Sequence, residues 1–420
     1  MSGLFFNYEK NMMDNVKIFT DNVDGLAKKQ IARLGQVPAF TNSKIRIMPD
    51  VHAGVGCVIG FTANLGDKVI PNIVGVDIGC GMYTVRLGKK LPDFSELDRI
   101  IRERVPSGSD THENQKVGFP EFDGLKCLDS LHYQERLLKS LGTLGGGNHF
   151  IELDVAGDGT AYLVIHTGSR NLGKQVADLY QNEAIERHRA SYRTTDTCLK
   201  IIEEYRANGR QSEIQTAIAR IKREAEELHP DIPPELCYLE GEARERYLHD
   251  MRICQHFATV NREIIAREII EGLHLAPEDA FHTIHNYIDH DSGIVRKGAI
   301  SARKNERLLI PINMRDGAIL GTGKGNDDWN QSAPHGAGRI MSRTVARKTL
   351  DIDDFRTSMK GIYSTSISEE TLDEAPMVYK GIEEILGLIG DTVDVRDIIR
   401  PVYNFKAQES GTPFWKKERK

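Results

Sequence analysis

The 420-residue chain contains no stretch approaching the ~20 consecutive apolar residues that a bilayer-spanning helix requires. Its opening MSGLFFNYEKNMMDNVKIF lacks the basic segment and following apolar run of a signal peptide, so the cytoplasm is the expected compartment. The six cysteines, at 57, 80, 127, 198, 237 and 254, form no C-x-x-C pair. In a reducing compartment a disulfide framework is not expected, and at least five of them read as small buried hydrophobes. Positive charge is not in excess either: 55 Lys and Arg stand against 61 Asp and Glu, for a net charge of −6. That excludes a chain coated for tight non-specific binding to nucleic acid, but not a local basic groove.

Familiar nucleotide and nucleophile signatures are also missing. GGGN (145–148) and GTGKGN (321–326) match neither G-x-x-x-x-G-K-[ST] nor G-x-G-x-x-G, so P-loop and Rossmann readings fail. There is no G-x-S-x-G elbow and no K-x-D-G lysine motif. The basic clusters Arg296–Lys297, Arg303–Lys304–Arg307, Arg339–Arg343–Arg347–Lys348 and the terminal KKERK read first as solvated faces. No internal repeat or low-complexity linker divides the chain.

What is present is glycine-punctuated strand sequence on both sides of a helical stretch. Residues 44–90 and 143–173 alternate short β-branched runs with glycine turns. Residues 173–275 are charged and periodic at three to four residues, interrupted by HPDIPPEL (229–236), with Thr194 and Ser212 as candidate caps. Glycine-rich strands return at 278–350 and a helix-strand section runs to about 407. The expected architecture is α+β: one interwoven domain over 1–420, with a β-rich core, a helical insertion at 173–275 and a flexible tail at 408–420.

Polar residues embedded in these apolar and glycine-rich stretches carry the chemistry. They are Asp50 and His52 (MPDVHAGVG), Asp77 and Cys80 (GVDIGCGM), Asn148, His149 and Glu152 (GGGNHFIE), His166 and Arg170 (VIHTGSR), His285 and Asn286 (TIHNYIDH), and His335 and Arg339 (PHGAGR). Each histidine alone reads more readily as a satisfied core residue than as a ligand. Together, one thiolate, one carboxylate and three imidazoles suit a borderline-soft divalent metal, and a thiolate can bridge two such ions. His335 stands in a collar of small residues, SAPHGAGR, with Arg339 and Arg343 close behind. Imidazole can attack phosphorus directly and the arginines can neutralise phosphate charge, which points to phosphoryl transfer.

These stretches, with IHTGSRNLG, HNY, SAPHGAGRIMSR and APMVYKGIEEI, occur in an order that resembles the RtcB-type RNA ligases, over about residues 45–406. The resemblance implies a GTP- and manganese-dependent enzyme that joins RNA 3′-phosphate or 2′,3′-cyclic phosphate ends to 5′-hydroxyl ends, in RNA repair or tRNA splicing. It implies two Mn²⁺ ions, one at Asp77, Cys80 and His149 and one at Cys80, His166 and His285, with His335 as the guanylylated residue. Guanine-nucleotide contacts are implied for Asn148, Phe150, Glu152, Asn286, Pro311, Asn313, Met314, Gly336, Ala337, Gly338, Arg339, Tyr379 and Lys406. Arg170 and Arg343 are expected against RNA or nucleotide phosphate, and Asp50 and His52 behind the site. The implied partners are broken RNA, GTP and an archease-type activator, with no membrane.

The sequence departs from the family at PINMRD (311–316), where much of the family has P-G-S-M-G, and Ala318 replaces a usual serine. Lys406 is followed by AQESGTPFWKKERK rather than standing next to the end. These departures and the expanded helical stretch suggest a divergent, bacterial-type branch. Two other readings compete: a metal-dependent RNA-end phosphoesterase with His335 as an acid or base, and a non-catalytic RNA-binding protein on the same scaffold.

Overall fold

The computed structural model describes residues 15–192, 195–208, 210, 213–220 and 232–407. The tail at 408–420 and the candidate caps Thr194 and Ser212 lie outside the described residues. Sixteen strands are described: β1 (Val16–Ile18), β2 (Ile45–His52), β3 (Ile59–Asn64), β4 (Lys68–Val69), β5 (Gly81–Gly88), β6 (Phe150–Val155), β7 (Ala161–Thr167) and β8 (Leu239–Glu240), followed by β9 (Asp279–Ile284), β10 (Asn286–Asp289), β11 (Ile294–Lys297), β12 (Ala299–Ser301), β13 (Arg307–Asn313), β14 (Gly317–Gly323), β15 (Ser332–Pro334) and β16 (Val393–Lys406). With the helices between them they make a mixed α+β fold.

The largest sheet runs β13-β14-β16-β6-β7-β5-β9. Its edge strands meet, since the Leu309 N–H of β13 donates to Thr283 Oγ1 of β9 at 3.2 Å. The sheet therefore curls around an inner cluster of Met82, Phe150, Val164, Leu309, Ala318 and Ile399. The two-residue period of a strand sorts its side chains between the two faces. On β6, Phe150 joins the inner cluster, while Ile151 and Leu153 face the other way with Leu163 and Ile165 of β7. Against that outer face pack Ile265, Ala266 and Ile269 of the helix Gly241–Gly272 and Leu97 and Ile101 of the helix Phe94–Arg104. Each fully buried Ile or Leu contributes roughly 1.5–3 kcal/mol.

Pairing register brings the site to one end of this sheet. Phe150 lies opposite His166 on one side and Lys406 on the other, and His166 lies opposite Met82. A second sheet, β1-β2-β3-β11-β10, carries Asp50 and His52 at the end of β2. The stretch expected to be helical begins and ends in helices that pack on the core. Tyr180 of Arg170–Tyr192 meets Tyr247 of Gly241–Gly272 edge-on at 5.3 Å and donates to Asp250 Oδ2 at 2.7 Å. One feature departs from an all-helical reading: β8 pairs with β4 in a two-stranded ribbon just before the long helix. No helix among the described residues is long and apolar enough to cross a membrane.

Candidate active site

Asp77 and Cys80 sit in the turn leading into β5, His149 just before β6, His166 near the end of β7 and His285 between β9 and β10. These connections end at the same edge of the curled sheet, so residues far apart in sequence converge. The ligand atoms of Asp77, Cys80 and His149 lie within 4.8 Å of one another, as do those of Cys80, His166 and His285, and Cys80 belongs to both groups. Its Sγ is 3.5 Å from His149 Nε2 and 3.3 Å from His166 Nε2, and His166 Nε2 is 3.4 Å from His285 Nε2. Gly168 permits the crowding, because a Cβ there would stand 2.1 Å from Asp77 Oδ1.

The donor set fits cations. His149 Nδ1 faces the Leu144 carbonyl at 2.9 Å and His166 Nδ1 faces that of Asn148 at 3.2 Å. Carbonyls only accept, so both Nδ1 atoms carry hydrogens and the Nε2 lone pairs point inward. His149 Nε2 then confronts Asp77 Oδ2 at 2.9 Å, two electron-pair donors that need a proton or a cation between them. Burial, together with neighbouring positive groups, pushes His166 and His285 well below the usual imidazole range and leaves them neutral. Burial and the Asp77 charge push the Cys80 thiol up; a bound divalent cation reverses that logic, since a coordinating thiol is deprotonated.

His335 stands beside this cluster, its ring centroid 4.9 Å from that of His285. The fully buried Asp50 organises the loop around it. Asp50 Oδ2 accepts from His335 Nδ1 at 2.6 Å, from the His335 N–H at 3.1 Å and from the Gly336 N–H at 3.2 Å. The proton therefore sits on Nδ1 and the lone pair on Nε2. His52 Nδ1 lies 2.9 Å from the Asp50 carbonyl oxygen and steadies the same strand end. The collar of small residues does more than clear space for a ligand. Gly338, at φ +79°, would place a Cβ 2.4 Å from the Asp50 carbonyl oxygen, and Ala337 joins the core beside Ile312 and Ala333. Small side chains are what let this loop lie against the Asp50 strand.

A groove of about 860 Å³ opens over both features. Its walls include His52, Asp77, Cys80, Asn148, Phe150, Glu152, His166, His285, Asn286, Pro311, Asn313, Met314, His335 to Arg339, Arg343, Tyr379 and Lys406. Asp50, His149 and Arg170 are not in the wall but behind it. Arg170 departs from the expectation that it meets phosphate: its Nε points to Thr143 Oγ1 at 3.3 Å, and its Nη1 lies 3.4 Å from His149 Nδ1. Asn313 is likewise committed within the altered PINMRD turn, donating to Asp316 Oδ2 at 2.8 Å and accepting the N–H groups of Arg315 and Asp316.

At the far end of the groove, Glu152 accepts from Asn404 Nδ2. Burial raises its carboxyl to about 7 against the opposing pull of Lys406 and Asn404. Asp154, two residues further on the same strand, is fully buried, and neither of its oxygens has a hydrogen-bond partner among the described residues. Burial and the Glu152 charge push it well above the usual carboxylate range, so it stands as a neutral acid.

The sequence matches the family described as "tRNA-splicing ligase RtcB" over residues 30–128 and 126–407. The chain belongs to the RtcB family. It is 29% identical over 441 aligned positions to the "RNA-splicing ligase RtcB" of Escherichia coli strain K12, covering 94% of this chain and 98% of the relative. The "tRNA-splicing ligase RtcB" of Aeropyrum pernix is 25% identical over 433 positions, covering 81% of this chain and 82% of the relative. A second Escherichia coli relative, "RNA-splicing ligase RtcB2" of strain ATCC 25922, is 26% identical over 422 positions, covering 91% and 93%.

Several residues of this RtcB-family site carry no motif in the sequence. Glu374 is buried and holds Arg339, Arg343, Tyr379 and Lys406, while Asp373 accepts from Arg343 Nη1 at 2.8 Å and Arg347 Nε at 3.1 Å. Arg262 has no solvent exposure and donates to the carbonyls of Gly79 at 2.7 Å and Thr167 at 2.9 Å, pinning the two turns that present Cys80 and His166. Burial lowers its guanidinium to about 10. Asn261 beside it receives the N–H groups of Gly142 and Thr143 and donates to the Gly168 carbonyl. Periodicity could have found this pair: Asn261 and Arg262 lie on the helix stripe of Phe257, Ala258, Ile265 and Ile269, all buried.

Proposed function

We propose that this chain is an RNA ligase that joins 3′-phosphate or 2′,3′-cyclic phosphate ends to 5′-hydroxyl ends, using GTP, two divalent ions and a covalent His335–GMP intermediate. The observation that carries the reading is the Asp50–His335 pair, its Nε2 lone pair unengaged, beside a Cys80-centred double ligand set in a single groove. Asp77, Cys80 and His149 would hold one ion and Cys80, His166 and His285 the other, with the thiolate favouring manganese over magnesium. When bound, such ions neutralise phosphate charge and favour in-line geometry.

The residues of the chain account for the remainder. His335 Nε2 attacks the α-phosphorus of GTP; the N–P bond forms as the bond to the oxygen bridging to the β-phosphate breaks, and pyrophosphate leaves with the electron pair. Asp50 offsets the charge that appears on the ring. An oxygen of the RNA 3′-phosphate, present from the start or after water opens a cyclic end, then attacks the same phosphorus, and the electron pair returns to Nε2. The 5′-hydroxyl attacks the activated 3′-phosphate, loses its proton, and GMP departs. Glu152 as acceptor and Lys406 as donor match the N1–H and O6 edge of guanine, with Phe150 and Tyr379 alongside.

The test is to incubate the protein with Mn²⁺ and GTP labelled in the α-phosphate. A phosphoramidate predicts an acid-labile, alkali-stable label, absent from His335→Ala. Full labelling of His335→Ala would refute the nucleophile assignment. No label on wild type with any divalent ion would refute the ligase reading, and opening of cyclic phosphates without GTP would favour the phosphoesterase.

A further inference from the structure

The carboxylate of Glu374 is 2% exposed and takes hydrogen bonds from three separate parts of the chain. Its Oε1 accepts from Arg339 Nη1 at 3.3 Å and forms an ion pair with Arg343 Nη1 at 2.9 Å, both shortly after His335. Its Oε2 accepts from the Tyr379 hydroxyl at 2.7 Å and from Lys406 Nζ, on the last strand, at 2.9 Å. Burial alone would raise this carboxyl; Lys406, Arg343 and Arg339 hold it down to about 2, so it remains an anion.

Lys406 stands between two acids. It is bonded to Glu374, and its charge also acts on Glu152 of the neighbouring strand β6. Were Glu374 neutral, the ammonium would be drawn to Glu152, the other acid within its field. The two would then satisfy each other, and the groove would lose its separate donor and acceptor at once. Guanine needs both, because its edge offers an acceptor at O6 and donors at N1 and N2. Adenine offers the opposite pattern at positions 6 and 1.

We propose that Glu374 is a positioning residue for base selection, holding Lys406 and Tyr379 in place so that Lys406 and Glu152 face the nucleotide as an independent donor and acceptor. The same anion anchors the arginines that follow His335, which ties the base subsite to the loop carrying the nucleophile. The proposal rests on the GTP-dependent reading above and adds a residue that selects the base.

Glu374→Gln keeps the size of the side chain but removes its charge and half its accepting capacity. In the His335 labelling assay the KM for GTP should rise about tenfold and the preference for GTP over ATP should fall about tenfold, the loss expected when a buried polar partner is left unmet. The rate at saturating GTP should change less than about threefold, the pattern of lost binding discrimination rather than lost chemistry. An unchanged KM and GTP-to-ATP ratio would overturn the proposal. So would an equal loss of rate with both nucleotides at an unchanged ratio, which marks a purely structural role. If Glu374→Gln is unfolded at the assay temperature, Tyr379→Phe decides: removing one of the three hydrogen-bond donors should shift KM and the ratio in the same direction by about threefold, and no shift overturns the idea. Failure of wild type to label at all would instead strike the ligase reading.

Discussion

The two halves of the groove are built on opposite electrostatic plans. Around Cys80, neutral imidazoles, a thiol and one carboxylate turn lone pairs towards one another, so the cluster is incomplete by itself. Around Glu374, charges alternate from Glu152 through Lys406 and Glu374 to the arginines, and each has a partner already in place. The first arrangement leaves a demand that a proton or a bound cation meets. The second is preorganised, with its charges already paired and little to rearrange on binding a ligand.

The sharpest way to break this contrast is to remove the atom that both ligand groups share. Cys80→Ala should lose most bound manganese, read by elemental analysis of the purified protein, and labelling of His335 should fall about a thousandfold. Retention of the wild-type metal content would show that Cys80 does not bridge. Next is the junction between the halves. Asp50→Asn places an amide against the His335 and Gly336 N–H groups, and labelling at saturating GTP should slow about a hundredfold with little change in KM. An unaltered rate would mean that Asp50 does not prepare the nucleophile.

The smallest effect belongs to the preorganised half and is a pH dependence. Burial raises Glu152 to about 7, and its ionised form accepts from guanine N1–H more strongly than the protonated acid. Affinity should therefore be lost as pH falls through 7 and level off above 8. Guanosine, which has no phosphate to engage the metal cluster, isolates this group: calorimetry should show about tenfold tighter binding at pH 8 than at pH 6. Glu152→Gln should bind weakly and without that slope. A wild-type affinity independent of pH would remove Glu152 from the contact.

The sequence displays the Cys80 half and hides the Glu374 half, for a physical reason. Asp77, Cys80, His149, His166, His285 and His335 are polar residues amid glycine or strand-forming neighbours, where a polar side chain needs a function to justify burial. Glu374 sits in SEETLDEAPM, which reads as an ordinary solvated acidic turn. Only the return of the last strand and of the post-His335 segment buries it. Arg170 shows the same limit: an arginine beside a glycine turn suggests a phosphate, and only the fold shows its guanidinium set beside His149 and Thr143. The strand pattern was legible because period-two alternation is local. The ribbon of β4 and β8 was not, since two-residue strands carry no period and their partners, Lys68 with Glu240 and Val69 with Leu239, lie far apart in the sequence.

The position of β16 bears on how the molecule is assembled. It is the last strand among the described residues, yet it lies in the interior of the seven-stranded sheet, joining β14 to β6. Until it docks, β14 and β6 each present an open hydrogen-bonding edge, and the inner cluster lacks Ile399. The strand that seals the sheet also carries Asn404 to Glu152 and Lys406 to Glu374, so a molecule with β16 undocked has neither a closed sheet nor these contacts. Closure of the sheet and completion of the Glu152–Lys406–Glu374 arrangement thus depend on one and the same strand.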